Sequence, residues 1–201
     1  MSKVTKQIIP YGRQDITQED INAVIDVLKS DFITQGPTVK NFEEAVANFV
    51  GAKHGISTNS ATSSLHIACL ALGLSEGDYL WTVPNTFVAS ANCALYVGAE
   101  IDFVDINEST WNIDLEKLEQ KLKEAEKNKC LPKIIVTVAF AGQPCEQEAI
   151  RELTLRYDIR VIEDAAHAIG ASRNQEKIGS CKWSDITVFS FHPVKMITTA
   201  E

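Results

Sequence analysis

No apolar run in this chain is long enough to cross a bilayer, and Met1-Ser2-Lys3-Val4-Thr5-Lys6 leads into no hydrophobic leader stretch. A soluble, cytoplasmic protein without a membrane partner is therefore expected. Nowhere do Lys and Arg concentrate with interleaved aromatics, and 19 of them stand against 27 Asp and Glu for a net charge of -8. That excludes the usual nucleic-acid footprint, although backbone N–H groups of an acidic chain can still hold an anion. The five cysteines (Cys69, Cys93, Cys130, Cys145, Cys181) are scattered, with no Cys-x-x-Cys and no Cys/His pair at zinc-finger spacing. Free thiols in a reducing compartment are expected, and no metal. No Gly-x-Gly-x-x-Gly and no Gly-x-x-x-x-Gly-Lys-Ser/Thr occurs, so the dinucleotide fingerprint and the P-loop are both missing. There is no internal repeat and no low-complexity linker.

What is present is a 201-residue chain, 45% hydrophobic, able to bury one large core. Thr17, with Asp20 three residues on, reads as a helix N-cap before Ile21, Val24, Ile25 and Leu28 at helical spacing. A second amphipathic helix, with Val39, Phe42, Val46 and Phe49 on one face, stops at Gly51. Gly55-Ile56-Ser57 reads as a short strand, followed by Thr58 to Ser64 and an apolar helix from Leu65 to Leu72. Beyond Gly73 strands and helices alternate: strands at 79–83, 100–104, 133–138 and 160–164, helices at 87–97, about 115–127 and about 146–157. This alternation predicts an α/β fold with a parallel, doubly wound sheet.

The last strand, from Ile186, delivers Ser190, His192, Pro193 and Lys195 at its carboxyl end, where ligands bind in open α/β sheets. A lysine held there against apolar neighbours is a candidate Schiff-base amine. Three other predicted strand ends carry polar groups: Ser57–Ser64, Asn85–Phe87 and Asp164–His167. Parallel strands place all of them on one edge. The Ser/Thr stretch before a helix can cradle a phosphate through several N–H groups, though an ordinary N-cap would use the same residue types. Phe87 can stack on a ring face, Asp164 can pair with a ring nitrogen, His167 can reach a ring oxygen, and Ser190 can add a hydroxyl to the phosphate. The ligand that suits this set is pyridoxal phosphate (PLP), with Lys195 forming the covalent link and shuttling the proton. Asp102 and Asp105 mimic a glycosidase acid pair, but nothing else supports that chemistry. His66 reads as a packed core residue rather than a ligand.

At these residues the sequence resembles the sugar aminotransferases of the DegT/DnrJ/EryC1/StrS family. The markers are Thr34-Gln35-Gly36, Asn59-Ser60-Ala61-Thr62-Ser63, Glu163-Asp164-Ala165-Ala166-His167, and Ser190-Phe191-His192-Pro193-Val194-Lys195 with Thr198-Thr199-Ala200-Glu201. They run in order from about residue 8 to the end. The resemblance implies the large domain of the PLP-dependent aspartate-aminotransferase-like (type I) fold. It also implies phosphate contacts at Ala61, Thr62 and Ser190, ring stacking at Phe87, a pyridinium partner at Asp164, a further ring contact at His167 and the Schiff base on Lys195. Related sugar 3-dehydratases carry histidine where Lys195 stands, so the lysine points to transamination. Within the family the chain is most similar to the C4 aminotransferases of pseudaminic acid biosynthesis. That likeness implies an amino-acid donor, glutamate, and a UDP-linked 4-keto-6-deoxy-N-acetyl sugar as substrates, and a homodimer. Family members continue beyond the position of Glu201 into the rest of the large domain and a small C-terminal domain. Residues 1–201 are therefore expected to hold most of the PLP-binding large domain and to be impaired alone. The alternatives are a catalytically silent relative that keeps the pocket, and an α/β domain that binds no PLP.

Overall fold

The computed structural model describes Ile9, Pro10 and residues 12–200; the Met1–Lys6 stretch, Ile8 and Glu201 lie outside the described residues. Helix α1 (Gln18–Lys29) starts as expected, with the Thr17 hydroxyl accepting the Asp20 N–H and the Asp20 carboxylate accepting the Thr17 N–H. Helix α2 (Pro37–Val50) has proline in its first turn and ends on left-handed Gly51. The apolar face predicted for α2 is buried only in part, with Phe42 and Val46 half-buried and the Phe42 ring edge-on to Phe191. Ala47 and Val50 are buried, whereas Val39 and Phe49 are exposed. All of the predicted apolar stripe of α1 (Ile21, Val24, Ile25, Leu28) is exposed as well.

The remaining elements are α3 (Ala61–Ala71), β1 (Tyr79–Thr82), α4 (Ala89–Leu95), β2 (Glu100–Phe103), α5 (Leu115–Asn128), β3 (Ile134–Val138), α6 (Gln147–Leu155), β4 (Arg160–Asp164), a hairpin of β5 (Ser172–Arg173) and β6 (Glu176–Lys177), and β7 (Ile186–Val188). The strands form a five-stranded, wholly parallel sheet in the order β2-β1-β3-β4-β7. The hairpin stands apart from it and was not foreseen in the sequence. Strand β3, Ile-Ile-Val-Thr-Val, is buried on both faces, which is why it reads as an unbroken apolar run rather than an alternating one.

Side chains alternate across the sheet and divide the core in two. Leu80, Ile134, Val136, Ile162 and Val188 pack with α3 and α4 through Leu65, Ala68, Cys69, Ala89, Cys93 and Ala94. Trp81, Ile135 and Val161 pack on the opposite face with Leu118 and Leu122 of α5 and Ile150 of α6. The charged side of α5 is a solvated face, as its composition predicts, with a Glu119–Lys123 pair one turn apart. Asp102 and Asp105 are occupied in surface ion pairs with Lys121 and Lys117, which removes the glycosidase reading.

The strand expected at Gly55-Ile56-Ser57 is not formed. No strand among the described residues runs alongside it, and the Ser57 N–H is taken by the Glu43 carboxylate of α2 at 2.7 Å. Helix α3 instead begins earlier than expected, at Ala61, with Ser60 as its cap. The Ser57–Ser64 stretch therefore approaches the site from a loop and a helix N-terminus rather than from the end of a sheet strand.

Candidate active site

The carboxyl ends of β1, β4 and β7 lie on one edge of the sheet, and each is followed by polar residues. In β4 the alternation that sends Ile162 to the α3/α4 face sends Asp164 there too. Asp164 is 6% exposed. The Ser90 hydroxyl of α4 donates to Asp164 Oδ2 at 2.7 Å, and the Ala166 N–H donates to Oδ1 at 3.1 Å. Each oxygen thus accepts one bond and keeps a further lone pair for a ligand donor.

The turn after β4 carries His167, and the loop after β7 carries Lys195. The Lys195 Nζ lies 2.6 Å from His167 Nε2. Two bases that close share one proton rather than hold two. Burial lowers the Lys195 pKa below the ordinary lysine value, and the Asp164 charge partly opposes that shift. Burial also lowers the His167 pKa, with the Lys195 charge adding to it and Asp164 opposing. An unprotonated amine near neutral pH is what nucleophilic or base chemistry needs. The His167 backbone is met by Gly142, whose φ is +86° and where any Cβ would stand 2.7 Å from the His167 carbonyl oxygen. Glycine there keeps the turn bearing His167 close against the loop after β3.

The start of α3 is a capped helix N-terminus with spare backbone donors. Ser60 caps the helix by accepting the Ser63 N–H at 3.2 Å, and the Thr58 hydroxyl donates to the Ser60 carbonyl at 2.8 Å. These bonds order the loop while Ala61 and Thr62, in the first turn, keep N–H groups without helical acceptors. The same end of the helix packs, through Ala61 and Leu65, in one cluster with Val188 of β7. Ser190, two residues beyond β7, is buried, and its hydroxyl accepts the His192 N–H at 3.4 Å. His192 itself is exposed. Phe87 is 73% exposed at the mouth after β1. His66 is half-buried and meets the exposed Tyr96 edge-on, so it is not the core residue that the sequence suggests.

The structure thus brings together Asp164, His167 and Lys195, and sets Ala61, Thr62, Phe87 and Ser190 on elements that end at the same edge. Sequence reasoning missed Ser90 and gave no task to its neighbour Thr86, which lies within the Asn85–Phe87 stretch. The signal for Ser90 was a hydroxyl among the small, buried positions of α4, one turn before Cys93. Among the described residues no group of three or more His, Cys, Asp or Glu could hold a metal ion, and no helix is long and apolar enough to cross a membrane.

A profile of the DegT/DnrJ/EryC1/StrS aminotransferase family matches residues 14–201. The chain belongs to that family. Among similar members, the UDP-4-amino-4,6-dideoxy-N-acetyl-beta-L-altrosamine transaminase of Campylobacter jejuni is 45% identical over 194 residues, which is 96% of this chain and 50% of that protein. Helicobacter pylori PseC, an aminotransferase involved in the biosynthesis of pseudoaminic acid, superposes with a TM-score of 0.87 at 36% identity, over 96% of this chain and 50% of that one. The sugar aminotransferase Spr1654 of Streptococcus pneumoniae, solved in a PLP form, superposes with a TM-score of 0.85 at 30% identity over 96% and 51%. The chain spans about half the length of the relatives it matches. The likeness shows the parallel-sheet fold of PLP aminotransferases, of which these residues form a part.

Proposed function

We propose that this chain carries the cofactor site of a PLP-dependent nucleotide-sugar aminotransferase. The reaction is transfer of an amino group from an amino acid, glutamate, to C4 of a UDP-linked 4-keto-6-deoxy-N-acetyl sugar. The observation that carries the reading is the Lys195 amine, 2.6 Å from His167 and in the field of the buried Asp164 carboxylate at the sheet's ligand edge. The residues fit PLP by their donor set. Asp164 has unused acceptor capacity for a ring N–H, the α3 N-terminus has unused donors for a phosphate, and Lys195 is a partly desolvated amine for an aldehyde.

When bound, PLP supplies an electron sink for a carbanion next to its ring. Every other task falls to the protein. Asp164 would hold the ring nitrogen as a cation. The Ala61 and Thr62 N–H groups and the Ser190 hydroxyl would hold the phosphate. Phe87 would cover one ring face. Lys195 would hold the cofactor covalently and, once freed by the incoming amine, carry the proton between adjacent carbons. His167 would take or return that proton at Lys195 Nζ, since its Nε2 already touches it.

The choice of a UDP-linked sugar aminated at C4 rests on the name of the Campylobacter relative. A cytoplasmic homodimer is part of the same reading. It is tested by spectra of the purified protein with PLP, then with glutamate, then with the UDP-linked keto sugar. Glutamate should bleach the visible band and the keto sugar should restore it. A protein that stays colourless with PLP would refute the reading; one that colours but ignores both substrates would be the silent relative or a chain impaired without the rest of the family fold.

A further inference from the structure

The Ser90 hydroxyl has no task in the function proposed above, yet it makes the 2.7 Å bond to Asp164 Oδ2 and is wholly buried. Thr86 Oγ1 lies 2.8 Å from Ser90 Oγ. An ionised carboxylate only accepts, so the single Ser90 proton goes to Asp164 and the Thr86 hydroxyl must donate to Ser90. The two hydroxyls form a directed relay, Thr86 to Ser90 to Asp164, built on the residues that run from β1 into α4. The other Asp164 oxygen is held from a different element, by the Ala166 N–H. Turning the carboxyl group out of this plane would break both bonds.

We propose that Ser90, backed by Thr86, is a positioning residue that keeps Asp164 in its ring-nitrogen-protonating state; the proposal rests on the PLP reading of the site. A carboxyl group and a pyridine nitrogen share one proton in two ways, as carboxylate with pyridinium or as acid with neutral pyridine. The Ser90 O–H stabilises the carboxylate and so favours the first. The other titratable groups facing Asp164 are Cys93 from α4, His167 from the turn after β4 and Lys195 from the loop after β7.

The test is nitrogen NMR of the intact protein loaded with PLP labelled at the ring nitrogen, together with single-turnover rates for glutamate. Wild type should show a pyridinium resonance at neutral pH. Ser90→Ala should move it toward neutral pyridine, with the rate falling about tenfold to a hundredfold, the worth of one hydrogen bond to a charged group. The apparent affinity for glutamate should change less than about twofold. Ser90→Cys, a weak donor of similar size, should fall between the two. Thr86→Val should shift the resonance the same way by less, and it carries the test if Ser90→Ala does not fold. A Ser90→Ala protein (or, in its place, Thr86→Val) with an unmoved resonance and a wild-type rate would overturn this inference alone. A wild-type protein that binds no PLP would overturn the proposed function and this inference together.

Discussion

Glu163 and Asp164 are consecutive acidic residues on β4, 3% and 6% exposed as residues, and they face opposite sides of the sheet. Glu163 meets α6 and β7: Gln147 Nε2 donates to one oxygen and the Thr187 hydroxyl to the other, each at 3.0 Å, with a further bond from the Gly179 backbone. Burial still raises its pKa. Asp164 meets α4, accepts two bonds from the described residues, and has a lysine and a histidine as neighbours at the open edge. Burial is thus nearly equal in the two places. What separates a structural carboxyl group from a chemical one is spare hydrogen-bonding capacity beside an amine.

Substitutions should divide along that line. The largest effect is expected at the amine: Lys195→Met should lower transamination by about a thousandfold or more, while the protein unfolds at the same or a higher temperature at pH 7. The folded-state pKa of Lys195 is depressed, so below that value a protonated Lys195 costs stability, and the cost is lost as pH rises toward the ordinary 10.5. The thermal advantage of Lys195→Met should therefore shrink as melting is followed from pH 7 upward. Asp164→Ala should lower the rate by about a hundredfold to a thousandfold, measured at saturating PLP. Glu163→Ala should do the reverse. It leaves the Gln147 amide and Thr187 hydroxyl without their acceptor and should cost about 2–4 kcal/mol in urea unfolding, with the rate per folded molecule within about twofold of wild type.

Two smaller effects sharpen the comparison. The Glu163 pKa is raised on folding, so its stabilising share is present at acid pH and is lost as pH climbs through the folded value. The stability difference between wild type and Glu163→Gln should accordingly move in favour of the variant as pH rises from 4.5. Ser60→Ala, which removes the cap of α3, should cost about 1 kcal/mol and weaken PLP binding more than it changes the rate at saturation.

The sheet was legible because most of its strands are short, largely apolar runs set between turn residues (the edge strand β2, Glu-Ile-Asp-Phe, is the exception), and β4 and its polar end were read to the residue. The Asp164, His167 and Lys195 constellation was legible for a related reason: once the strands are parallel, their carboxyl ends must share an edge. Gly55-Ile56-Ser57 misled because a β-like composition makes a strand only where a neighbour completes the ladder; here Glu43 takes the Ser57 N–H. The face of α1 and part of that of α2 misled because periodicity shows that a helix has an apolar side, not what that side meets. The roles of Ser90, Thr86 and Gln147 were hard to read because they depend on partners 74, 4 and 16 residues away, paired only after folding. The contact of His167 with Lys195, rather than with a ring oxygen alone, belongs to the same class.

The central claim is that Lys195 is the amine that takes the cofactor. Borohydride reduction of the PLP-treated protein, followed by peptide mass mapping, tests it most directly. The account predicts one phosphopyridoxyl group per chain, on Lys195 and absent from Lys195→Met; the group on another lysine, or on none, would contradict it.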